Sequence, residues 1–266
     1  MQFVKAHACG NDFLIVDDIF AEGQHAELAR KLCARNTGIG ADGVEYLALE
    51  ETGQYSIRLF NADGSEAEIS GNGTRCVAAY LAQEDEVEFV SIRTHAGVRR
   101  CRILHRESPR YTISTEMGVP RVAPKTIQLK DGTSVAGLQV SIGNPHFAIF
   151  VEEESFECFG CSWQRAGEEI VVHSAFPEGT NVEFVRVLGP DKIEFRIFER
   201  GVGPTQSSGT GSSAAAAASM QVHGLQRRLT VIAEGGPQIV EWLKEASQLL
   251  LTGPAEIIAQ GECLLA

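Results

Sequence analysis

The chain has 266 residues, 44% of them hydrophobic and 22% charged, with a formal net charge of −12. That acidity argues against a nucleic acid or an anionic membrane as partner, and no apolar run reaches the length that spans a bilayer. Seven cysteines, an odd number scattered through a chain of this length, point to reduced thiols and the cytoplasm, not to a disulfide scaffold.

Gln2 to His7 and Phe13 to Asp17 read as short strands around the turn Cys9-Gly10-Asn11. Asn11, Asp12, Asp17 and Asp18 do not fit a secretory leader. Ala26 to Cys33 has helical spacing. Gly38-Ile39-Gly40-Ala41-Asp42-Gly43 matches GxGxxG, but a helix precedes it and the strand-like Val44 to Leu49 follows. A dinucleotide site needs the reverse order, so this is read as a tight turn. Tyr55, Ile57 and Leu59 alternate as in a strand and lead to Ser70-Gly71-Asn72-Gly73, where an apolar helix begins. Glu86 to Thr94, Val98 to Leu104 and Tyr111 to Met117 read as strands. Pro120 to Thr133, polar with two prolines and a glycine, reads as a linker.

The second half opens with Gln139 to Ile142, the turn Gly143-Asn144-Pro145-His146, and Phe147 to Val151. Trp163 to Glu169 reads as helix, and Asn181 to Val187 and Ile193 to Phe198 as strands. Ser208-Gly209-Thr210-Gly211 starts a helix that carries Ala214 to Ala218. Leu229 to Ala233, Ile239 to Trp242, Gln248 to Leu251 and Glu256 to Ile258 complete the strands.

The two serine–glycine stretches are copies of one unit. Arg58 falls on Arg196, Phe60 on Phe198 and Ser70 on Ser208, at a constant offset of 138 residues. Many strands around two apolar helices predict an α+β fold of two pseudo-symmetric lobes. Each is a curved, mainly antiparallel sheet or barrel wrapped around a central helix. The expected lobes are residues 1–118 and 119–266, with strands at the extreme C-terminus able to return to the first. A helix enclosed on all sides favours small residues, which suits the alanine run.

A helix start leaves backbone N–H groups unpaired and carries partial positive charge, so it binds a carboxylate. Two such starts facing one anion would set Ser70 and Ser208 on either side of one carbon, a geometry for moving a proton from one face to the other. The plain alternative is that each serine is only an N-cap. A phosphate loop is the weaker reading, since neither copy carries the lysine of a Walker sequence. His146 at its turn is either structural or a site residue, and Glu199 with Arg200 either faces solvent or lies beside the second helix start. Cys158 and Cys161 form a lone CxxC with neither zinc-site nor thioredoxin context, so no metal is expected. Cys76 is read as buried packing.

Several motifs together resemble the diaminopimelate epimerase family over nearly the whole chain. They are Gly10-Asn11-Asp12-Phe13, the stretch from Gly38 to Gly43, Phe60-Asn61-Ala62-Asp63-Gly64-Ser65-Glu66, and Gly71-Asn72-Gly73-Thr74-Arg75-Cys76. Gly143-Asn144-Pro145-His146, Pro177-Glu178-Gly179-Thr180-Asn181-Val182-Glu183, Glu199-Arg200-Gly201 and Gly209-Thr210-Gly211 complete the set. The resemblance implies a cofactor-independent homodimer that epimerises LL-diaminopimelate to the meso form for lysine synthesis. It implies that Asn11, Asn61, Asn144, Asn181, Glu199 and Arg200 hold the distal amino-acid end. Gly71, Asn72, Gly209 and Thr210 would bind the reacting carboxylate, and His146 and Glu199 would tune proton transfer.

The chain departs from the family where the chemistry lies: Ser70 and Ser208 stand where the family has cysteine, and Pro204 where it usually has glutamate. A thiol ionises far more readily than a hydroxyl, which needs a separate base. Either the natural protein has cysteines that were replaced, or the serines are native and the route is modified. Related isomerase, dehydratase or racemase chemistry on another amino acid, or a silent amino-acid-binding homologue, are the remaining readings.

Overall fold

A computed structural model describes residues 1–84 and 87–264. In chain order the strands and helices are β1 (Gln2–Ala8), β2 (Asn11–Asp17), α1 (His25–Cys33), β3 (Gly43–Leu49), β4 (Tyr55–Asn61), β5 (Glu66–Ala67), α2 (Gly71–Glu84), β6 (Phe89–Thr94), β7 (Gly97–Glu107) and β8 (Arg110–Gly118). Then follow β9 (Arg121–Gln128), β10 (Ser134–Ser141), β11 (Pro145–Phe150), α3 (Trp163–Ile170), β12 (Asn181–Gly189), β13 (Lys192–Glu199), β14 (Gly203–Thr205), α4 (Gly209–His223), β15 (Arg228–Ala233), β16 (Gly236–Glu241) and β17 (Leu249–Glu262). The chain forms two compact units, Met1–Glu116 with the stretch from Thr252 onward, and Met117–Leu251.

In the first unit the strands close into a ring in the order β17–β1–β2–β3–β4–β6–β7–β8, and β8 pairs back onto β17. The β1–β2 hairpin turns through Cys9 and Gly10, both at positive φ (53° and 80°), which suits a two-residue primed turn. β2–β3 and β4–β6 pair in parallel, and each crossover carries a helix, as a parallel connection requires. α2 lies within the ring: Cys76, Val77, Ala78, Ala79 and Ala82 pack against Ile15, Leu59, Val90, Ile92, Ile113 and Ile257. α1 covers the other face of β2 to β4, setting Ala29 and Leu32 against Leu14, Val16, Val44, Tyr46 and Phe60. β3 is therefore buried on both faces.

The second unit repeats the plan. Its ladder runs β9–β10–β11–β12–β13–β15–β16, with β11–β12 and β13–β15 parallel. α3 and α4 fill the two crossovers. Ser208 caps α4, and the left-handed Gly224 (φ 60°) ends it. Residues Gly209 to Met220 are all buried. An alanine buries little area, so the alanine run contributes close approach of the surrounding strands more than hydrophobic free energy.

Two expectations are corrected. The segment from Pro120 to Thr133 is not a linker: most of it is β9, paired with β10 from Arg121↔Ser141 to Gln128↔Ser134. Its residues are exposed on both faces, Arg121 and Ala123 on the face of the buried Ile127 and Pro124, Thr126 and Gln128 on the other, so the sequence shows no apolar alternation. The stretches from Gln248 to Leu251 and from Glu256 to Ile258 are one strand, β17, which runs through Gly253-Pro254. Of the strand expected from Glu86, Phe89–Thr94 is formed, and Glu86 itself lies outside the described residues.

Candidate active site

In the second unit the expected residues form one connected group. Ser208 is only 4% exposed. Its Oγ accepts the Gly211 N–H at 3.2 Å and lies 3.3 Å from Thr210 Oγ1. The same hydroxyl is hydrogen-bonded to the Glu199 carboxyl. Thr205 Oγ1 donates to Glu199 Oε1 at 2.5 Å. Burial raises the Glu199 carboxyl above its ordinary value, against the opposing effects of these two hydroxyls and of His146. A hydroxyl in contact with a carboxyl of raised basicity is the arrangement that lets serine exchange protons.

His146 is fully buried on β11. Its Nε2 lies 2.8 Å from Asn144 Oδ1, and its Nδ1 lies 2.6 Å from Glu183 Oε1 on β12. The two contacts, one to each ring nitrogen, fix the plane of the imidazole. Burial raises Glu183, and His146 opposes this. Asn144 Nδ2 reaches Thr210 Oγ1 at 3.5 Å, which ties the histidine turn to the α4 start. Asn181 donates to Pro145 O at 3.0 Å and accepts from the Arg200 N–H at 2.9 Å, while Arg200 Nη1 donates to Glu178 O. Pro204 lies on β14 opposite Phe198, exposed.

In the first unit Ser70 caps α2. Its Oγ accepts the Gly73 N–H at 3.0 Å, and its carbonyl accepts from the Thr74 hydroxyl at 2.7 Å. Both serines are thus N-caps, which is compatible with a further role. Asn72 is buried; its Nδ2 donates to Asn11 Oδ1 at 3.1 Å, and its Oδ1 accepts from Arg75 Nη2 at 2.6 Å. Asn11 in turn donates to Asp42 at 2.8 Å. The buried Arg75 guanidinium also donates to Gly71 O and Pro254 O, fastening the helix start to β17. Asn61 Nδ2 donates to Ser65 Oγ at 3.0 Å, and Asn61 pairs with Gly43, next to Asp42. Among the described residues there is no cluster of metal-ligating side chains. Cys158 and Cys161 are free thiols whose backbones bond each other across a turn.

Two further carboxylates belong to these surroundings. Glu45 and Glu183 are both fully buried on the strand next to the capped helix. The repeat offset of 138 residues places one on the other. A side chain at Gly73 would collide with Glu45 Oε1, and one at Gly211 would lie 3.3 Å from Glu183 Oε1. The register makes Phe13 the counterpart of His146, because Phe13 pairs with Gly43 and His146 with Asn181. Glu183 has a histidine partner, whereas neither oxygen of Glu45 has a hydrogen-bond partner among the described residues.

This fold is one used by amino-acid racemases and epimerases. A crystal structure of a probable proline racemase from Agrobacterium radiobacter superposes with a TM-score of 0.76 at 16% identity, covering 100% of this chain and 93% of that one. A model of the diaminopimelate epimerase family matches residues 3–123 and 138–258. A diaminopimelate epimerase from Pelotomaculum thermopropionicum is 40% identical over 98% of both chains, and one from Carboxydothermus hydrogenoformans is 35% identical over the whole of both. The chain belongs to the diaminopimelate epimerase family of isomerases.

Proposed function

We propose that the protein epimerises LL-diaminopimelate to meso-diaminopimelate by proton transfer at one α-carbon, without a cofactor. The observation that carries this reading is end-to-end similarity to curated relatives of that name. The reacting carboxylate of the substrate takes the N–H groups of Gly71, Asn72, Gly209 and Thr210 at the two helix starts. Asn11, Asn61, Asn144, Asn181, Glu199 and Arg200 hold the distal amino-acid end.

Ser208 and Ser70 take the acid and base positions on opposite faces of the carbon. Serine alone is a poor base, so Glu199 accepts the Ser208 proton as the α-proton moves to Ser208 Oγ. His146, held by Glu183 and Asn144, fixes the polarity beside Glu199. The protein works as a cytoplasmic homodimer. No helix among the described residues is long and apolar enough to cross a membrane. A silent amino-acid-binding role is the second reading, favoured by the hydroxyls at positions 70 and 208.

The test is incubation with LL-diaminopimelate in D2O. Deuterium at the α-carbon with formation of the meso isomer is expected. Ser70→Cys with Ser208→Cys should raise the rate by about 10²-fold or more, the scale of general acid–base groups. Binding without exchange supports the silent binder. No exchange and no gain in the double variant would overturn the assignment.

A further inference from the structure

The turn from Gly38 to Gly43 has no part in the chemistry above, yet the carboxylate of its Asp42 bonds Asn11. We propose that Asp42 is a positioning residue: together with Arg75 it locks the Asn11 and Asn72 amides in one orientation and so sets the α2 start for its ligand. This inference rests on the reading of Asn11 and the α2 start as substrate-binding, and not on turnover.

Three observations carry it. The first is an unbroken line of hydrogen bonds. Arg75 Nη2 donates to Asn72 Oδ1 at 2.6 Å, Asn72 Nδ2 to Asn11 Oδ1 at 3.1 Å, and Asn11 Nδ2 to Asp42 Oδ2 at 2.8 Å. A guanidinium only donates and a carboxylate only accepts. Turning over either amide, or both, therefore sets donor against donor and acceptor against acceptor. Two opposite charges at the ends fix a direction that the amides alone leave open.

The second is the build of the turn. The Gly38 N–H bonds Ala34 O at 2.8 Å, and the Ile39 and Gly40 N–H groups both bond Leu32 O at 2.9 Å. A side chain at Gly38 would collide with Lys31 O, so glycine is what lets the turn close onto the end of α1. Lys5 Nζ holds the Gly40 carbonyl at 2.6 Å. The Asp42 N–H donates to Asp12 O at 2.9 Å, while the Asp12 N–H donates to Asp42 Oδ2 at 3.1 Å. Asp42 is thus held by main chain on two sides, as a residue that orients another must be. The third is capacity. An amide nitrogen carries two N–H groups and its oxygen two lone pairs. Asn72 and Asp42 take one of each from Asn11, which leaves one N–H and one lone pair for the ligand. A turned amide would offer that ligand a donor in place of an acceptor.

Arg35 separates orientation from simple support. Its guanidinium bonds Asp42 Oδ1 at 2.7 Å and Asp12 Oδ1 at 3.0 Å, so it braces the same turn. It contacts neither asparagine.

The experiment measures the Kd of LL-diaminopimelate by calorimetry, and KM and kcat by α-deuterium exchange, in the parent, Asp42→Asn and Arg35→Met. Asparagine keeps the shape of Asp42, but with its oxygen on Arg35 its NH2 opposes the Asn11 N–H. Asp42→Asn should raise Kd and KM about tenfold or more, the scale of one hydrogen bond to a charged group. kcat should change less than about threefold, as for lost uniform binding. Arg35→Met loosens the turn without touching the asparagines and should leave Kd and KM within about twofold. Arg75→Met frees the other end of the line and should raise Kd as Asp42→Asn does; it serves as the second test if Asp42→Asn does not fold. An unchanged Kd in the folded Asp42→Asn protein, or an equal rise in Arg35→Met, would overturn the positioning role and leave the epimerase reading standing. If the folded parent does not bind LL-diaminopimelate, the substrate reading fails and takes this inference with it.

Discussion

Replacing His146 with phenylalanine would give the second unit the arrangement that the first already has, an aromatic ring where Phe13 stands beside an unpartnered glutamate. The substitution removes the 2.6 Å contact to Glu183 and leaves that carboxyl fully buried. Burial already raises that carboxyl and His146 opposes this, so without the imidazole it is raised further. A folded value raised above the unfolded one contributes stability that is present below the unfolded value and is lost as pH rises through the folded one. Removing one partner of a buried pair costs roughly 3–5 kcal/mol. Urea unfolding followed by tryptophan fluorescence reports it directly, because both tryptophans, Trp163 and Trp242, are buried in the second unit. The difference between wild type and His146→Phe should be larger at pH 7.5 than at pH 5. A loss equal at the two pH values would reflect misfit of the ring alone and refute the electrostatic reasoning.

Two further outcomes are expected. Gly167→Ala on α3 should destabilise by about 1–3 kcal/mol instead of giving the usual helix-propensity gain. Its methyl would meet Phe198 Cβ at 2.6 Å, an atom too close to the backbone to yield, and the urea midpoint checks it. Arg75→Met should lower stability by about 2–4 kcal/mol, since Gly71 O, Asn72 Oδ1 and Pro254 O lose a common donor. It should also raise KM in the exchange assay by loosening the α2 start.

The glycine-flanked serines, their helices and the repeat between them were legible because they rest on local rules: capping, period and turn chemistry. Glu45 and Glu183 were not read as buried. A glutamate between Val44 and Tyr46 looks like the outward face of an alternating strand, and only tertiary packing, with α1 on one side and α2 on the other, buries both faces of β3. The repeat offset held the missing signal, since it carries Glu45 onto Glu183 as surely as Ser70 onto Ser208. β9 was misread because a strand exposed on both faces over most of its length shows no apolar alternation. β17 was divided because Gly253-Pro254 marks a break in most contexts, whereas here strand pairing carries through it.

The strand that closes the first ring also fixes the order in which the chain can mature. β1 pairs with β17 from Gln2↔Glu262 to His7↔Glu256, so β1 waits for a strand made long after it. The second unit is continuous in sequence and finds every partner nearby. During synthesis it is the later-made half that settles first, while the opening residues stay unsealed until their distant edge arrives.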